Sequence, residues 1–313
     1  MFFLYFLSFF IIIYFVNEPI SRYSDKENYK LGFLNLTDSD STRKSFDIGF
    51  YYLQNVIRSY TSSHFAYFFI LAFIYLGGYL IFIKKFISKD YLLIYFLITI
   101  TSLGFYSYGV NTIRQGLALS LFLIAIAYDR NNIVSLLFSI ISFFFHKSLL
   151  IPILAFWILK KYNIKNNFVY LWMLCLLITV IFGSTLAATL GEFLGTSDSR
   201  LDSYLVESSQ GYKTGFKFNF FLYSLAPIIY GFKINSKIND PVYSKMLSLY
   251  VIVNAVWLLV IRIPFTDRFA YLSWVLIPFI LVYPLTKYQI FKNKNLAISV
   301  VLIYLSLISF LIS

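Results

Sequence analysis

The stretch "NTIRQGLALSLFLIAIAY", residues 111–128, puts Asn111, Arg114 and Gln115 within five positions and then continues without a charge to Tyr128. A helix rises about 1.5 Å per residue, so such a run covers most of a hydrocarbon core about 30 Å thick. Runs of the same kind recur, for example "FFLYFLSFFIIIYFV" at residues 2–16. They do not alternate apolar and polar positions, as the roughly ten-residue strands of an outer-membrane barrel would. The pattern predicts an all-α, polytopic integral membrane protein.

Composition agrees with this. Of 313 residues, 59% are apolar and 13% charged, and the mean hydropathy is +0.75; soluble domains carry about 25% charged residues. Residues 1–17 show no basic stretch ahead of the apolar run and no small-x-small cleavage site, so they are expected to stay as a span. Cys175 is the only cysteine, which excludes an internal disulfide and a cysteine metal cluster. No HExxH, GxxxxGK[ST] or GxSxG pattern occurs. Neither a metal nor a cofactor is expected.

Apolar runs between polar residues give eleven candidate spans: approximately 2–17, 65–83, 91–107, 113–128, 132–145, 148–160, 168–190, 217–232, 244–261, 270–286 and 296–312. About 10–11 transmembrane helices would then form a single domain over 1–313, with two long outer loops at 18–64 and 191–216. Spans 132–145 and 148–160 are short enough to be re-entrant or tilted. With a cytoplasmic N-terminus, the inner connections sum to +10 and the outer ones to +2, which recovers the total of +12. The positive-inside rule therefore favours that orientation. The basic balance is a topology signal, and it is not the basic patch of a nucleic-acid-binding module.

Arginine is distributed differently from lysine. Seven of the eight arginines fall on the outer side, while twelve of the thirteen inner cations are lysines. Either residue satisfies topology, but Arg presents a rigid planar fork that grips carboxylate or phosphate oxygens and stays charged when partly buried. The outer face is thus expected to hold an anion. Loop 18–64 contains "SRYSDKENYKLGF", which includes Arg22, and "FDIGFYYLQNVIRSY", which includes Asp47. Residues 47–60 are expected to form an amphipathic helix on the membrane surface.

Three further clusters lie at outer ends of spans. Asn111, Arg114 and Gln115, at i, i+3 and i+4, would share one helical face. His146, Lys147 and Ser148 follow in "FFFHKSLL", and Arg262, Asp267, Arg268 and Tyr271 in "RIPFTDRFAYL". All three fall on one face under an orientation fixed independently by the lysines.

The "RQGLALSLFLIAIAY" run, followed about thirty residues later by "FFFHKSLLIPI", resembles the EpsG-type branch of the Wzy polysaccharide polymerases. The similarity extends to "RYSDKENY", to "DIGFYYL" and to the late arginine-rich outer loop. The resemblance implies an integral-membrane, polyprenyl-dependent glycosyltransferase, GT-C-like in architecture, working on the outer side of the bacterial cytoplasmic membrane. Its substrate would be oligosaccharide repeat units linked to undecaprenyl pyrophosphate, bound for capsule, exopolysaccharide or O-antigen. A membrane chain-length regulator is an implied partner. In such a reaction Arg114, Arg262 and Arg268 would hold the departing pyrophosphate, with Gln115 and Asn111 orienting them or the sugar. Arg22, Lys147 and Tyr271 join the expected substrate contacts. His146 titrates nearest neutrality and is the first candidate base, with Asp267 and Asp47 as substitutes.

Two other classes remain open. A flippase or transporter of the lipid-linked glycan would place ionisable groups near the bilayer midplane, and no Asp, Glu, Lys or Arg falls in the middle of a span. Breaker or polar positions such as Gly77, Gly78, Gly183, Pro227, Asn254 and Pro278 supply kinks but no coupling charge. An O-antigen ligase would use the same donor and differ only in its acceptor.

Overall fold

The computed structural model describes residues 2–20, 24–35, 47–162, 168–195, 215–263 and 265–312. Every regular element among the described residues is helical. The chain divides into two compact units, one built from Met1–Ile153 and Leu285–Leu311, the other from Leu154–Pro284.

In the first unit the order is α1 (Phe2–Asn17), α2 (Ser24–Leu34), α3 (Ile48–Tyr60), α4 (His64–Phe86), α5 (Leu92–Ile100), α6 (Phe105–Val110), α7 (Ile113–Ala127) and α8 (Asn132–Phe145). Helix α9 (Leu150–Tyr162) then carries the chain into the second unit. That unit continues with α10 (Val169–Gly195), α11 (Phe218–Ile238), α12 (Pro241–Leu259), α13 (Asp267–Trp274) and α14 (Ile277–Lys287), and α15 (Lys294–Ile312) belongs again to the first.

Helix α7, the second part of the "NTIRQG" stretch, is the centre of the first unit. Every residue from Gln115 to Ala127 is buried, and α7 packs against both α4 and α8. A helix apolar on all sides belongs in a core. Small residues let its neighbours come close: a Cβ on Gly78 of α4 would stand 2.3 Å from the Ser120 carbonyl. Ser142 of α8 donates its hydroxyl to the Ala118 carbonyl at 2.7 Å, a polar tie of the kind that joins helices where no water competes.

Among the described residues, five helical stretches are long and apolar enough to cross a membrane: His64–Phe86, Val169–Leu186, Pro241–Leu259, Asp267–Lys287 and Lys294–Leu311. Phe2, Phe6 and Phe10 of α1, Leu177, Val180 and Phe182 of α10, and Ile303, Leu307 and Phe310 of α15 are exposed. Apolar surfaces of that size face lipid in a multi-pass membrane protein.

Two expectations change. The span at 91–107 is broken, because Gly104 takes φ 88° between α5 and α6, a conformation that glycine adopts without steric cost. Asn111 does not share a helical face with Arg114 and Gln115. Both Asn111 N–H and Thr112 N–H donate to the Ser107 carbonyl, at 2.8 and 2.9 Å. This wide turn closes α6, and α7 starts anew at Ile113. The span expected at 270–286 lies within Asp267–Lys287, with a short turn between α13 and α14, where Pro278 has no N–H to offer the carbonyl of Trp274. The amphipathic helix expected at 47–60 is present as α3, with Phe50, Tyr51, Gln54 and Ile57 buried at helical spacing.

The second unit is stitched by indole N–H groups. Trp172 donates to Asn254 at 2.8 Å, and the Asn254 amide donates to Ser273 at 3.0 Å. Trp274 donates to Ser224 at 2.7 Å and Trp257 to Thr266 at 3.0 Å. Asn254, flagged in the sequence as a kink position, is instead a buried bridge between helices.

Candidate functional site

Arg114 is the second residue of α7, where the helix dipole disfavours a positive charge. A cation placed against the dipole needs compensation from elsewhere in the fold. Asp47 provides it through an ion pair with the Arg114 Nη1, although the two residues lie 67 positions apart in the chain. Both side chains are largely shielded, at 26% exposed for Arg114 and 12% for Asp47.

Asp47 sits at the N-cap of α3 but makes no side-chain cap hydrogen bond. An N-cap carboxylate contributes about 1 kcal/mol when it caps; here its oxygen goes to the guanidinium. Two local rules are therefore broken together, and both departures serve the same contact. The "DIG" sequence explains how α3 reaches its place. A Cβ on Gly49 would stand 2.8 Å from the Phe145 ring and 3.1 Å from the Phe144 carbonyl oxygen, so only glycine lets α3 lie this close to the end of α8.

Tyr29 of α2 completes the setting. Its hydroxyl accepts from Arg114 Nε at 3.3 Å, and the guanidinium carbon stands 5.6 Å from its ring centroid. Asp25, one helical turn earlier, adds a favourable charge toward Arg114. Asp25 and Tyr29 are four apart and so share a face of α2, a spacing that was visible in "SDKENY".

Lys26 anchors α2. The residue is 1% exposed, and its ammonium donates to the carbonyls of Phe15, Val16 and Glu18 at 2.7, 3.3 and 2.7 Å. These are acceptors that the C-terminal end of α1 leaves over. Burial pushes the Lys26 amine down to about 8, with the Glu18 charge pulling the other way.

A second chain of contacts starts at the neighbouring residue. Gln115 Nε2 donates to Ser148 Oγ at 3.2 Å, and Ser148 Oγ stands 2.8 Å from His146 Nδ1. The Ser148 N–H also donates to Nδ1, at 3.3 Å. Lys147 is exposed and opens the short 3-10 turn Lys147–Leu149. Asn111 keeps a buried side-chain oxygen with no hydrogen-bond partner among the described residues, an arrangement that costs about 1–3 kcal/mol.

In the second unit, Arg262 lies across α10: a Cβ on Gly183 would be 2.5 Å from its Nε. That Nε is buried and has no partner among the described residues. The Arg262 guanidinium also stands 6.0 Å from the Phe216 ring. The Asp267 carboxylate accepts from the Tyr271 hydroxyl and from backbone N–H groups, and faces the charge of Arg268. Arg268 itself stands 5.0 Å from the ring of Phe265, whose φ of 54° marks a strained turn. Arg22 lies outside the described residues.

The sequence-predicted residues thus fall into two groups. In the first unit Arg114 meets Asp47, and Gln115 meets His146 through Ser148. In the second, Asp267 meets Tyr271 and Arg268. Tyr29, Ser148 and Lys26 were not predicted as site residues. No curated protein and no solved structure matches the chain. The model of the EpsG family, however, matches residues 2–313. With the RQ helix, the FH turn and the DIG helix joined in one unit and the match running over nearly the whole length, the chain belongs to the EpsG family.

Proposed function

We propose that this protein polymerises oligosaccharide repeat units carried on undecaprenyl pyrophosphate, by glycosyl transfer on the outer side of the bacterial cytoplasmic membrane. Family membership implies a polysaccharide polymerase role. The observation that carries the chemistry is Arg114: a guanidinium held against its own helix dipole by Asp47 and Tyr29. In the reaction an acceptor hydroxyl oxygen bonds to the donor's anomeric carbon. The bond from that carbon to the phosphate oxygen breaks, and its electron pair leaves on pyrophosphate.

Negative charge thus grows on phosphate oxygens, and a pre-aligned guanidinium stabilises it without reorganising. Asp47 and Tyr29 keep the Arg114 fork aligned while leaving the rest of its five N–H donors for substrate. Asn111, with its unpaired oxygen, suits a sugar hydroxyl. Asp47 is committed to Arg114, which leaves His146 as the candidate base of the first unit. The reading also calls for a chain-length regulator as partner.

The test is incubation of the purified protein with a synthetic lipid-linked repeat unit, scoring polymer and released polyprenyl pyrophosphate. Polymer with stoichiometric pyrophosphate release supports the reading. Movement of intact lipid-linked units across vesicles with no new glycosidic bond would sink it in favour of a flippase.

A further inference from the structure

Arg58 stands in the last turn of α3. It is half-buried, with its guanidinium carbon 5.5 Å from the centroid of the Phe33 ring of α2. Its Nη1 is buried and makes no hydrogen bond, and no carboxylate pairs with it among the described residues. A shielded donor on a permanent cation is rarely left without an acceptor. In this Arg58 differs from Arg114, whose fork is already held by Asp47 and Tyr29.

The two guanidiniums are held on neighbouring rings of α2. Arg114 stands over Tyr29 and Arg58 over Phe33, at 5.6 and 5.5 Å. The rings are four residues apart, so they share a face of the helix about 6 Å apart along its axis. A second path joins them. Phe33 stacks on Tyr67 with centroids 4.3 Å apart, and Tyr67 lies within reach of the Arg114 charge. Gln54, one turn before Arg58 on the same face of α3, donates to the Tyr67 hydroxyl at 2.8 Å. Helical side chains tilt toward the N-terminus, so Arg58 leans back along α3 toward the end where Asp47 meets Arg114. Positive charge gathers at the other end as well: Lys26 and Lys30 of α2 both act on His64, the first residue of α4.

We infer that Arg58 and Arg114 form a two-armed clamp for a lipid-linked pyrophosphate, Arg114 taking one phosphate and Arg58 the other. Pyrophosphate as the anion rests on the polymerase reading; the pairing of the two guanidiniums does not. An aromatic face holds a cation through its quadrupole and uses up none of the N–H donors. Phe33 therefore orients Arg58 and leaves its fork for phosphate oxygens, which guanidinium grips bidentately. One guanidinium alone has no means of telling a pyrophosphate from a monophosphate, and the second arm supplies it. Helix α3 carries the partner of one arm, Asp47, at its start and the other arm in its last turn, so its docking sets the width of the clamp.

The test titrates full-length protein, in nanodiscs of zwitterionic lipid, with undecaprenyl pyrophosphate and separately with undecaprenyl monophosphate. Arg58→Met keeps the apolar stem beside Phe33 and removes the charge; Arg58→Lys keeps the charge and loses the fork. The wild type is expected to prefer the pyrophosphate. Arg58→Met should weaken pyrophosphate binding about tenfold or more and leave monophosphate binding within about twofold, with Arg58→Lys between the two. No preference in the wild type, a preference untouched by Arg58→Met, or equal weakening of both ligands overturns the clamp. If Arg58→Met melts well below the wild type, Arg58→Lys decides, and it must still lower the preference. Loss of the Arg58-dependent preference when phosphatidylglycerol is added to the discs would assign Arg58 to lipid headgroups and also overturn it. A wild type that binds with this preference but forms no polymer removes the polymerase reading and leaves the clamp standing. Polymer formed with a preference independent of Arg58 does the reverse.

Discussion

Arg114 carries the proposed chemistry because its charge stands at the start of a helix that disfavours it and its fork is held by Asp47 and Tyr29. Replacing it with Lys keeps the charge but loses the planar fork that Asp47 and Tyr29 align. Arg114→Lys is expected to lower polymer formation by about 10²-fold or more, while protein level and single lipid-linked repeat units persist. Unchanged polymer length and yield would exclude the role given to Arg114. Lys26 is tested through pH. Its folded value, about 8, lies below the ordinary 10.5, so the folded state loses this proton before the unfolded chain does. Keeping Lys26 charged therefore costs stability below about 8, and that cost is relieved as pH rises from about 8 to 10.5. The thermal stability of the wild type relative to Lys26→Arg, which does not titrate in that window, should rise across it. A flat difference would show that burial does not depress Lys26.

Helices α2 and α3 act as struts that carry Tyr29 and Asp47 to the end of α7. Both lie in the stretch read from sequence as outer loop 18–64. Helix α3 depends on its close approach at Gly49, where a Cβ would already stand 2.8 Å from Phe145. A branched side chain there must displace the helix, and overpacking of this sort costs about 1–3 kcal/mol. Gly49→Val should lower the melting temperature in detergent and, by drawing Asp47 away from Arg114, depress polymerisation more than binding of the lipid-linked donor. Equal loss of both would indicate general unfolding. The α3 register itself was legible, since Phe50, Tyr51, Gln54 and Ile57 recur at helical spacing. The break between α6 and α7 was not, because two N–H groups competing for the Ser107 carbonyl leave no mark on the apolar pattern.

For the molecule in its membrane, the lysine and arginine distributions make a single prediction. In a Cys175→Ser background, a cysteine at Lys147, which is exposed, should react with an impermeant reagent added outside intact cells. A cysteine at Lys237, also exposed, should react only in inverted vesicles. The opposite pattern would overturn the orientation and place the arginine-rich ends in the cytoplasm. The exposed apolar faces of α1, α10 and α15 need the bilayer whichever result is obtained.

Helical periodicity, apolar run length and charge bias are local properties of the chain. They made the all-helical class, most helix positions and the family resemblance readable before any contact was known. The sequence also marked Arg114, Gln115, His146 and Asp47 as interesting residues. It could not pair them. The Asp47 contact spans 67 positions and the Gln115–Ser148 contact 33, and each exists only because α3 and the turn after α8 dock against the ends of buried helices. Docking depends on side-chain volumes meeting in three dimensions, as at Gly49 and Phe145.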